Sequence, residues 1–222
     1  MFQIVAFDMD GTLADTIPLC IKAFFNSVSP YADHELRKEE ILQTFGLNEI
    51  GMIKSIVGQN YSQALEDFYF HYELLHQEVT EVFPGIPRLL SFLKKRKIPI
   101  ALITGKGEKS CAITLKKLGL TNLFDEILFG SETSPNKKEN IEYLLKKYAV
   151  SKEKFCYIGD TVQDIKACRD AGVVCLSAAW QESSDSVRLE KENPHHVYHS
   201  VNDLYEYICH TIPHHFPHGL YR

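Results

Sequence analysis

The sequence lacks the features that mark several large classes of protein. None of its six cysteines forms a CxxC pair and their neighbours are mostly apolar, so neither a disulfide framework nor a zinc site is expected. No apolar run approaches the roughly 18 residues of a membrane-spanning helix. A net charge of -5 also excludes a broad basic surface for nucleic acid or anionic lipid. We find no internal repeat and no long low-complexity segment.

The first residues lack the basic start and the long apolar stretch of a secretory signal, since Met1 leads directly into a short apolar run that ends at Phe7. Hydrophobic residues make up 45% of the 222 residues and charged residues 24%, as in ordinary globular proteins. We therefore expect a cytoplasmic protein, either a monomer or a homodimer, with no membrane or nucleic-acid partner.

Several short runs are continuously apolar, which is typical of strands that are buried on both faces of a parallel sheet. Four are clear, and a fifth is shorter; they cover residues 3–7, 98–104, 155–159, 173–177 and 126–130. Helical patterns lie between them, at residues 85–97, before Gly119, and at 136–149 and 161–172. This alternation predicts an α/β fold with a doubly wound, Rossmann-like parallel sheet.

Residues 16–80 interrupt the alternation, because they contain several helical patterns and no convincing strand. We predict that they form a helical cap domain inserted into an α/β core made of residues 1–15 and 81–222. The stretch EVFPGIP at 81–87 is the expected return hinge, and residues near QTFGLNEIGMIK (43–54) are expected to face the site.

Polar residues follow the predicted strands at the edge where ligands of open parallel sheets bind. Asp8 and Asp10 follow the first strand, in FDMDGTLADT. Thr104 and Gly105 follow IPIALI, and GDTVQD places Asp160 and Asp164 after FCYIG. A lysine, Lys137 or its neighbour Lys138, precedes the 136–149 helix.

These motifs, in this order and across nearly the whole chain, resemble those of the haloacid dehalogenase superfamily, in the branch of phosphoglycolate phosphatases and pyrophosphatases with a small helical cap. The resemblance implies a phosphatase that acts on a small phosphorylated metabolite. Asp8 would attack phosphorus to form an aspartyl-phosphate. Asp10 would protonate the leaving alcohol and later deprotonate the attacking water.

The resemblance also implies Mg²⁺ as cofactor, held by Asp8, by the backbone carbonyl of Asp10 and by Asp160, with Asp164 acting through water or by orienting other groups. Thr104, Gly105 and Lys137 would bind the transferring phosphoryl group. Three departures from the usual motifs are Lys138 in place of proline, Gly105 in place of asparagine and Gln181 in place of glycine after Trp180. Trp180 is expected to be a packing residue.

Other activities remain open at this point. An inorganic pyrophosphatase or a phosphosugar mutase would share the same site. A dehalogenase and a phosphonatase are disfavoured because neither needs the proton-shuttling Asp10, although Lys22 or Lys54 could supply the amine of a phosphonatase. A catalytically idle phospho-ligand binder is disfavoured by the intact acids. The C-terminal histidines could bind a metal, but the broken pattern favours a frayed tail; they are His210, His214, His215 and His218.

Overall fold

The structure is a computed structural model that describes residues 1–212, apart from the side chain of Asn60. Of the C-terminal histidines, His214, His215 and His218 lie outside the described residues, and His210 belongs to the last helix. No helix in the described range is both long enough and apolar enough to cross a bilayer.

A six-stranded parallel sheet forms the centre of the core, in the order β3-β2-β1-β4-β5-β6. The strands are β1 (Ile4–Phe7), β2 (Ile100–Ile103), β3 (Glu126–Leu128), β4 (Phe155–Gly159), β5 (Val174–Ala178) and β6 (Val197–Tyr198). The predicted α/β sheet is confirmed, including its short fifth strand. The two-residue β6 is a sixth strand, in addition to the five apolar runs found in the sequence.

Ten helices accompany the sheet within residues 1–212. Those of the cap segment are α1 (Ile17–Val28), α2 (Lys38–Gln43), α3 (Glu49–Val57) and α4 (Tyr61–Leu75). Those of the core are α5 (Ile86–Lys95), α6 (Glu108–Lys117), α7 (Lys137–Lys147), α8 (Val162–Ala171), α9 (Ser186–Glu192) and α10 (Val201–Thr211).

The two faces of the sheet carry separate apolar layers, because successive side chains of a strand point to opposite faces. On β1, Val5 and Phe7 pack in the layer that includes α5, α6 and α10, whereas Ile4 and Ala6 pack in the layer that includes α7, α8 and α9. All four residues are fully buried, and burial of a side chain such as Phe7 contributes about 1.5–3 kcal/mol. Burial on both faces explains why β1 is continuously apolar.

The cap helices bury a third apolar cluster of their own. Helix α1 packs along α4, and the rings of Phe24 and Phe68 lie 4.9 Å apart between their centroids. The two chain crossings between this segment and the core are adjacent, since the Phe83 amide donates a 2.8 Å hydrogen bond to the Leu13 carbonyl. We propose from this arrangement that residues 16–80 are a separate cap domain.

The strand order reverses between β1 and β4, which are neighbours in the sheet although β2 and β3 intervene in the sequence. Ligands of doubly wound sheets bind at such a switch point, beyond the carboxyl ends of the strands. Phe7 pairs with Ile158, so Asp8 and Asp160 follow at the same edge. The topology therefore brings the first and last predicted motifs together.

Candidate active site

Asp8 is held rigidly at the end of β1. Its amide donates a 2.8 Å hydrogen bond to the Ile158 carbonyl, which continues the sheet pairing past Phe7. Its Oδ1 atom accepts a 2.8 Å hydrogen bond from the Met9 amide, and its Oδ2 atom lies 2.7 Å from the Lys137 ammonium. The side chain is buried. A carboxylate fixed at both oxygens in this way has a defined direction of attack.

Lys137, at the first position of α7, bridges two of the predicted acids. Its Nζ atom donates to Asp8 Oδ2 at 2.7 Å and to Asp164 Oδ1 at 2.6 Å. Lys138 instead lies 3.6 Å from Glu142, one turn along α7, and 41% of its side chain is exposed. Of the two lysines that the sequence left open, the structure therefore brings Lys137 to the acids.

Asp164 is fully buried at the start of α8 and uses both oxygens. Besides Lys137, its Oδ1 atom accepts a 3.1 Å bond from the Tyr157 hydroxyl. Its Oδ2 atom accepts bonds from the amide and the hydroxyl of Thr161, at 3.0 and 2.6 Å. Thr161 is the N-cap of α8 and forms a capping box with Asp164. Asp164 is thus a positioned anchor for Lys137.

Asp8, Asp160 and Asp164 form a cluster in which one carboxylate oxygen from each lies within 4.8 Å of the others. Burial raises the pKa of Asp8 to about 7, with Asp164 adding to the shift and Lys137 opposing it. Burial and the charges of Asp8 and Asp164 likewise raise the pKa of Asp160 well above its ordinary value. One ammonium group, that of Lys137, is bonded to these three carboxyl groups, so their combined negative charge would exceed its positive charge. Their oxygen atoms also converge on one point, which suits a divalent metal ion.

Gly11 allows the first and last motifs to approach each other. Its φ angle is +74°, and a Cβ atom there would lie 2.2 Å from Asp160 Oδ2 and 2.7 Å from Gln181 Oε1. Only glycine tolerates both the left-handed backbone and this contact. The close approach that Gly11 permits is therefore to the side chains of Asp160 and Gln181.

Asp10 faces the cap segment. Its Oδ1 atom accepts a hydrogen bond from the Thr16 hydroxyl, lies 3.1 Å from the Lys106 ammonium and 3.7 Å from the Cys20 thiol. It is partly exposed, with 22% of its side chain accessible. The two acids of the first motif are therefore separated: Asp8 points to Lys137 and the acid cluster, and Asp10 points to the cavity beneath the cap.

Lys106 is a site residue that sequence reasoning missed. The side chain is only 7% exposed, and its ammonium lies 3.1 Å from Asp10 Oδ1 and 4.6 Å above the centre of the Tyr72 ring. Burial lowers the pKa of Lys106, but Asp10, Cys20 and Tyr72 together more than offset this and hold the pKa well above its ordinary value. The sequence feature that could have pointed to Lys106 was its position two residues after Thr104, at the end of a predicted strand.

Thr104 and Gly105 form the turn that follows β2. The buried Thr104 hydroxyl accepts a 3.2 Å hydrogen bond from the Lys106 amide, and the Thr104 amide bonds to the Leu128 carbonyl of β3. Gly105 lines the cavity. Thr104 does not cap α6, whose N-cap is Gly107.

Trp180 packs beside the core layer and donates a 3.2 Å bond to the Thr12 carbonyl, consistent with a packing residue.

A cavity of about 620 Å³ lies between the core and the cap segment. Asp8, Asp10, Lys106 and Lys137 line its core side. The cap residues in its wall are Ile17, Cys20, Phe24, Leu42, Phe45, Gly46, Leu47, Glu49, Met52 and Phe68. Lys22 and Lys54, considered above as amine donors, do not line it; they lie 3.2 Å from Glu78 and 2.7 Å from Glu132.

The start of α3 fastens the cap segment to the core beside the cavity. The Asn48 amide donates to the Ser131 carbonyl at 2.9 Å, and its side chain donates to the Gly130 carbonyl at 3.1 Å. Glu49 accepts a 2.7 Å bond from the Gly107 amide. These bonds cross from the cap segment to two core loops, so the structure represents a closed arrangement.

We predict that this closed arrangement opens when the Asn48 side-chain contact is lost. Asn48→Ser keeps a hydroxyl that can cap α3, but the serine side chain is too short to reach Gly130. Two labels, one on the cap segment and one on the core, for example at Glu35 and Lys95, should therefore move apart. BeF₃⁻ with Mg²⁺, which would stand in for the phosphoryl group expected on Asp8, should return the labels to the short distance. Distance distributions from paired spin labels would measure both changes.

Lys38→Ala, on the exposed face of α2, serves as the control and should leave the distance unchanged. Identical distributions for the wild type and Asn48→Ser, with and without BeF₃⁻, would indicate a fixed cap and a static pocket.

Comparison with known proteins agrees with the fold and with the motifs. Residues 5–178 match the family described as haloacid dehalogenase-like hydrolase, and the chain belongs to that family. A pyrophosphatase candidate named PpaX, from Caldanaerobacter subterraneus subsp. tengcongensis, is 27% identical over 207 residues, which cover 92% of each chain. A phosphoglycolate phosphatase of Pseudomonas savastanoi pv. phaseolicola is 27% identical over 219 residues, covering 93% of this chain and 78% of that one.

Among solved structures, a protein described as a predicted phosphoglycolate phosphatase from Haemophilus somnus superposes with a TM-score of 0.77 at 17% identity. The match covers 94% of this chain and 98% of the other. At this identity the similarity shows a shared fold. The resemblance inferred from the sequence is confirmed at the level of family and fold.

Proposed function

We propose that the protein is a Mg²⁺-dependent phosphatase that hydrolyses a phosphoric monoester of a small metabolite through an aspartyl-phosphate on Asp8. The observation that carries this proposal is the position of the Asp8 carboxylate, bonded to Lys137 on one side and clustered with Asp160 and Asp164 on the other. Family membership and the relatives named as phosphatases support a phosphatase function.

In the first half of the reaction, Asp8 attacks phosphorus and the bond from phosphorus to the leaving oxygen breaks. Asp10 gives its proton to that oxygen, so the product leaves as an alcohol. The position of Asp10 on the cap side of the site suits this role, because the leaving group must occupy the cavity. Lys137, Thr104 and Gly105 would hold the phosphoryl oxygens during the transfer.

In the second half, Asp10 accepts a proton from a water molecule, the water oxygen bonds to phosphorus, and the bond from Asp8 to phosphorus breaks. Inorganic phosphate and the original enzyme result. Asp8, Asp160 and the Asp10 carbonyl would hold Mg²⁺, with Asp164 oriented nearby; when bound, the ion neutralises phosphoryl charge. Tyr157 and Thr161 keep Asp164 in place and, through it, Lys137.

The proposal is tested by phosphate release from purified protein and a panel of phosphorylated metabolites. Release from monoesters in Mg²⁺ supports it. Release from pyrophosphate alone would favour the pyrophosphatase suggested by the PpaX relative, and interconversion of sugar phosphates without release would favour a mutase. Binding without turnover of any compound would indicate a phospho-ligand binder.

We predict a strict requirement for the divalent ion. EDTA should lower activity at least about tenfold, a barrier increase of roughly 1.4 kcal/mol or more, and added Mg²⁺ should restore it. Ca²⁺ should compete with Mg²⁺ without supporting turnover, because its longer bonds and higher coordination number misalign the attack. Activity as a function of Mg²⁺ concentration measures the effect.

Asp160→Asn should raise the Mg²⁺ concentration for half-maximal activity, since it removes one charged oxygen ligand. Asp33→Asn, on an exposed carboxylate of the cap segment, is the matched control and should leave that concentration unchanged. Full activity in EDTA would remove the metal from the proposal.

A further inference from the structure

We infer that the leaving group of the substrate is an uncharged, largely apolar alcohol, and that a carboxylate-bearing or phosphate leaving group is disfavoured. The inference rests on the proposed phosphatase function and names the substrate class of that site. It follows from the wall of the cavity next to Asp10, the group that faces the leaving oxygen in the proposed reaction.

The cap side of the wall beside Asp10 is apolar. Cys20, whose thiol lies 3.7 Å from Asp10 Oδ1, is followed one turn later on α1 by Phe24, which therefore lies on the same face of the helix. Phe68 of α4 packs on Phe24, and both rings line the cavity. An alcohol that leaves from Asp10 toward the cap thus contacts a thiol and two aromatic rings.

Apolar side chains continue from this wall to the outer edge of the cavity. Leu42 and Phe45 line this outer edge, and 40% and 39% of their surfaces remain exposed. Gly46, at φ +110°, turns this loop against the core, since a Cβ atom there would lie 3.1 Å from the Pro135 ring. The exposed Leu42 and Phe45 therefore face space that a ligand can fill.

No lysine, arginine or histidine among the described side chains of residues 16–80 lines the cavity. The one charged cap residue in the wall is Glu49, which is buried and accepts bonds from the Gly107 amide and the Tyr69 hydroxyl. An anionic leaving group would find no cation on the cap side. A charge placed in an apolar site without a partner is strongly disfavoured.

The core side supplies one buried cation, and it lies next to Asp10. The Lys106 ammonium is 3.1 Å from Asp10 Oδ1 and is enclosed by Cys20 and Tyr72, so it is placed for the leaving oxygen and not for a charge farther along the apolar wall. Farther out, Lys138 and Lys166 line the cavity, but each is paired with an acid one turn along its own helix, Glu142 and Asp170.

The size of the cavity agrees with this inference. Its volume of about 620 Å³ falls within the roughly 300–1,000 Å³ of pockets that enclose drug-sized molecules. A phosphorylated two-carbon acid would leave most of the apolar wall without contact. A leaving group with a longer hydrocarbon portion would cover Phe45 and Met52 as well as Phe24.

The test compares alkyl phosphates with phosphoglycolate and pyrophosphate on the Mg²⁺-loaded enzyme. Ethyl, butyl and hexyl phosphate share one leaving-group chemistry, and ethyl phosphate resembles phosphoglycolate without its carboxylate. We expect kcat/KM to rise along the series, by up to about fourfold for each methylene that becomes buried. Hexyl phosphate should exceed both phosphoglycolate and pyrophosphate at least tenfold.

Two variants locate the effect. Phe45→Ala should lower the ratio of kcat/KM for hexyl over ethyl phosphate at least threefold. Phe70→Ala removes an exposed ring that does not line the cavity, and it should leave the ratio unchanged. A flat alkyl series, or phosphoglycolate as the better substrate, would overturn the inference while leaving the phosphatase proposal intact. Release from pyrophosphate alone would overturn both. No release from these five compounds, together with hydrolysis of another monoester of the metabolite panel, would overturn the inference alone.

Discussion

Asp8→Asn is expected to lower kcat by about a thousandfold or more, an increase of roughly 4 kcal/mol in the activation barrier. The amide has the same shape as the carboxylate, and its oxygen can still accept the bond from the Met9 amide or from Lys137. It lacks the negative charge that we propose attacks phosphorus, so the aspartyl-phosphate should not form. The fold should persist, because Lys137 keeps Asp164 as a partner.

Steady-state kinetics, thermal unfolding and mass spectrometry after an acid quench would test this prediction together. The wild type should yield a phosphorylated peptide that contains Asp8, and the variant should not. A folded variant with more than about a tenth of the wild-type rate, a loss of only ~1.4 kcal/mol, would show that Asp8 is not the nucleophile.

Lys137→Ala should destabilise the metal-free protein by about 3–5 kcal/mol and should also abolish most activity. The substitution leaves the buried carboxylates of Asp8 and Asp164 without the cation that now lies 2.7 and 2.6 Å from them. Burial lowers the pKa of Lys137, but the charges of Asp164 and Asp8 more than reverse this and raise it, so the ammonium is bound firmly.

Lys138→Ala is the matched control. Its side chain is 41% exposed and its partner Glu142 lies 3.6 Å away, so the free energy of unfolding should change by less than about 0.5 kcal/mol. Denaturant unfolding in EDTA measures both variants. If Lys138→Ala were the more damaging of the two, the assignment of the motif lysine to Lys137 would be wrong.

Much of the core was predictable because each buried strand is marked by an apolar run in its own residues. A strand such as β4, covered on both faces, is apolar throughout, and its end is marked by the polar GDTVQD. Strand ends on one edge of a parallel sheet must lie together, so Asp8 and Asp160 could be placed near each other without knowledge of side-chain packing. The choice between Lys137 and Lys138 could not be made, because it depends on the angle at which α7 begins.

Contacts across the cap segment could not be predicted, because they depend on how two separately packed units meet. Lys106 is next to a predicted motif, yet its pairing with Asp10 beneath the Tyr72 ring requires the position of α4. Asn48 and Glu49 read as an ordinary helix start. Only the tertiary arrangement shows that their bonds reach Gly130 and Gly107.

The hydrogen bond between the Phe83 amide and the Leu13 carbonyl has a consequence for how this chain can change over evolutionary time. Because this bond joins its two ends, the inserted segment is a closed loop with respect to the core. The entropy cost of closing such a loop grows only slowly with its length, by about 0.6 kcal/mol for each doubling. The segment between these two residues can therefore be lengthened, shortened or replaced while the edge of the sheet that carries the proposed catalytic residues stays the same. New substrates would then become accessible without new chemistry.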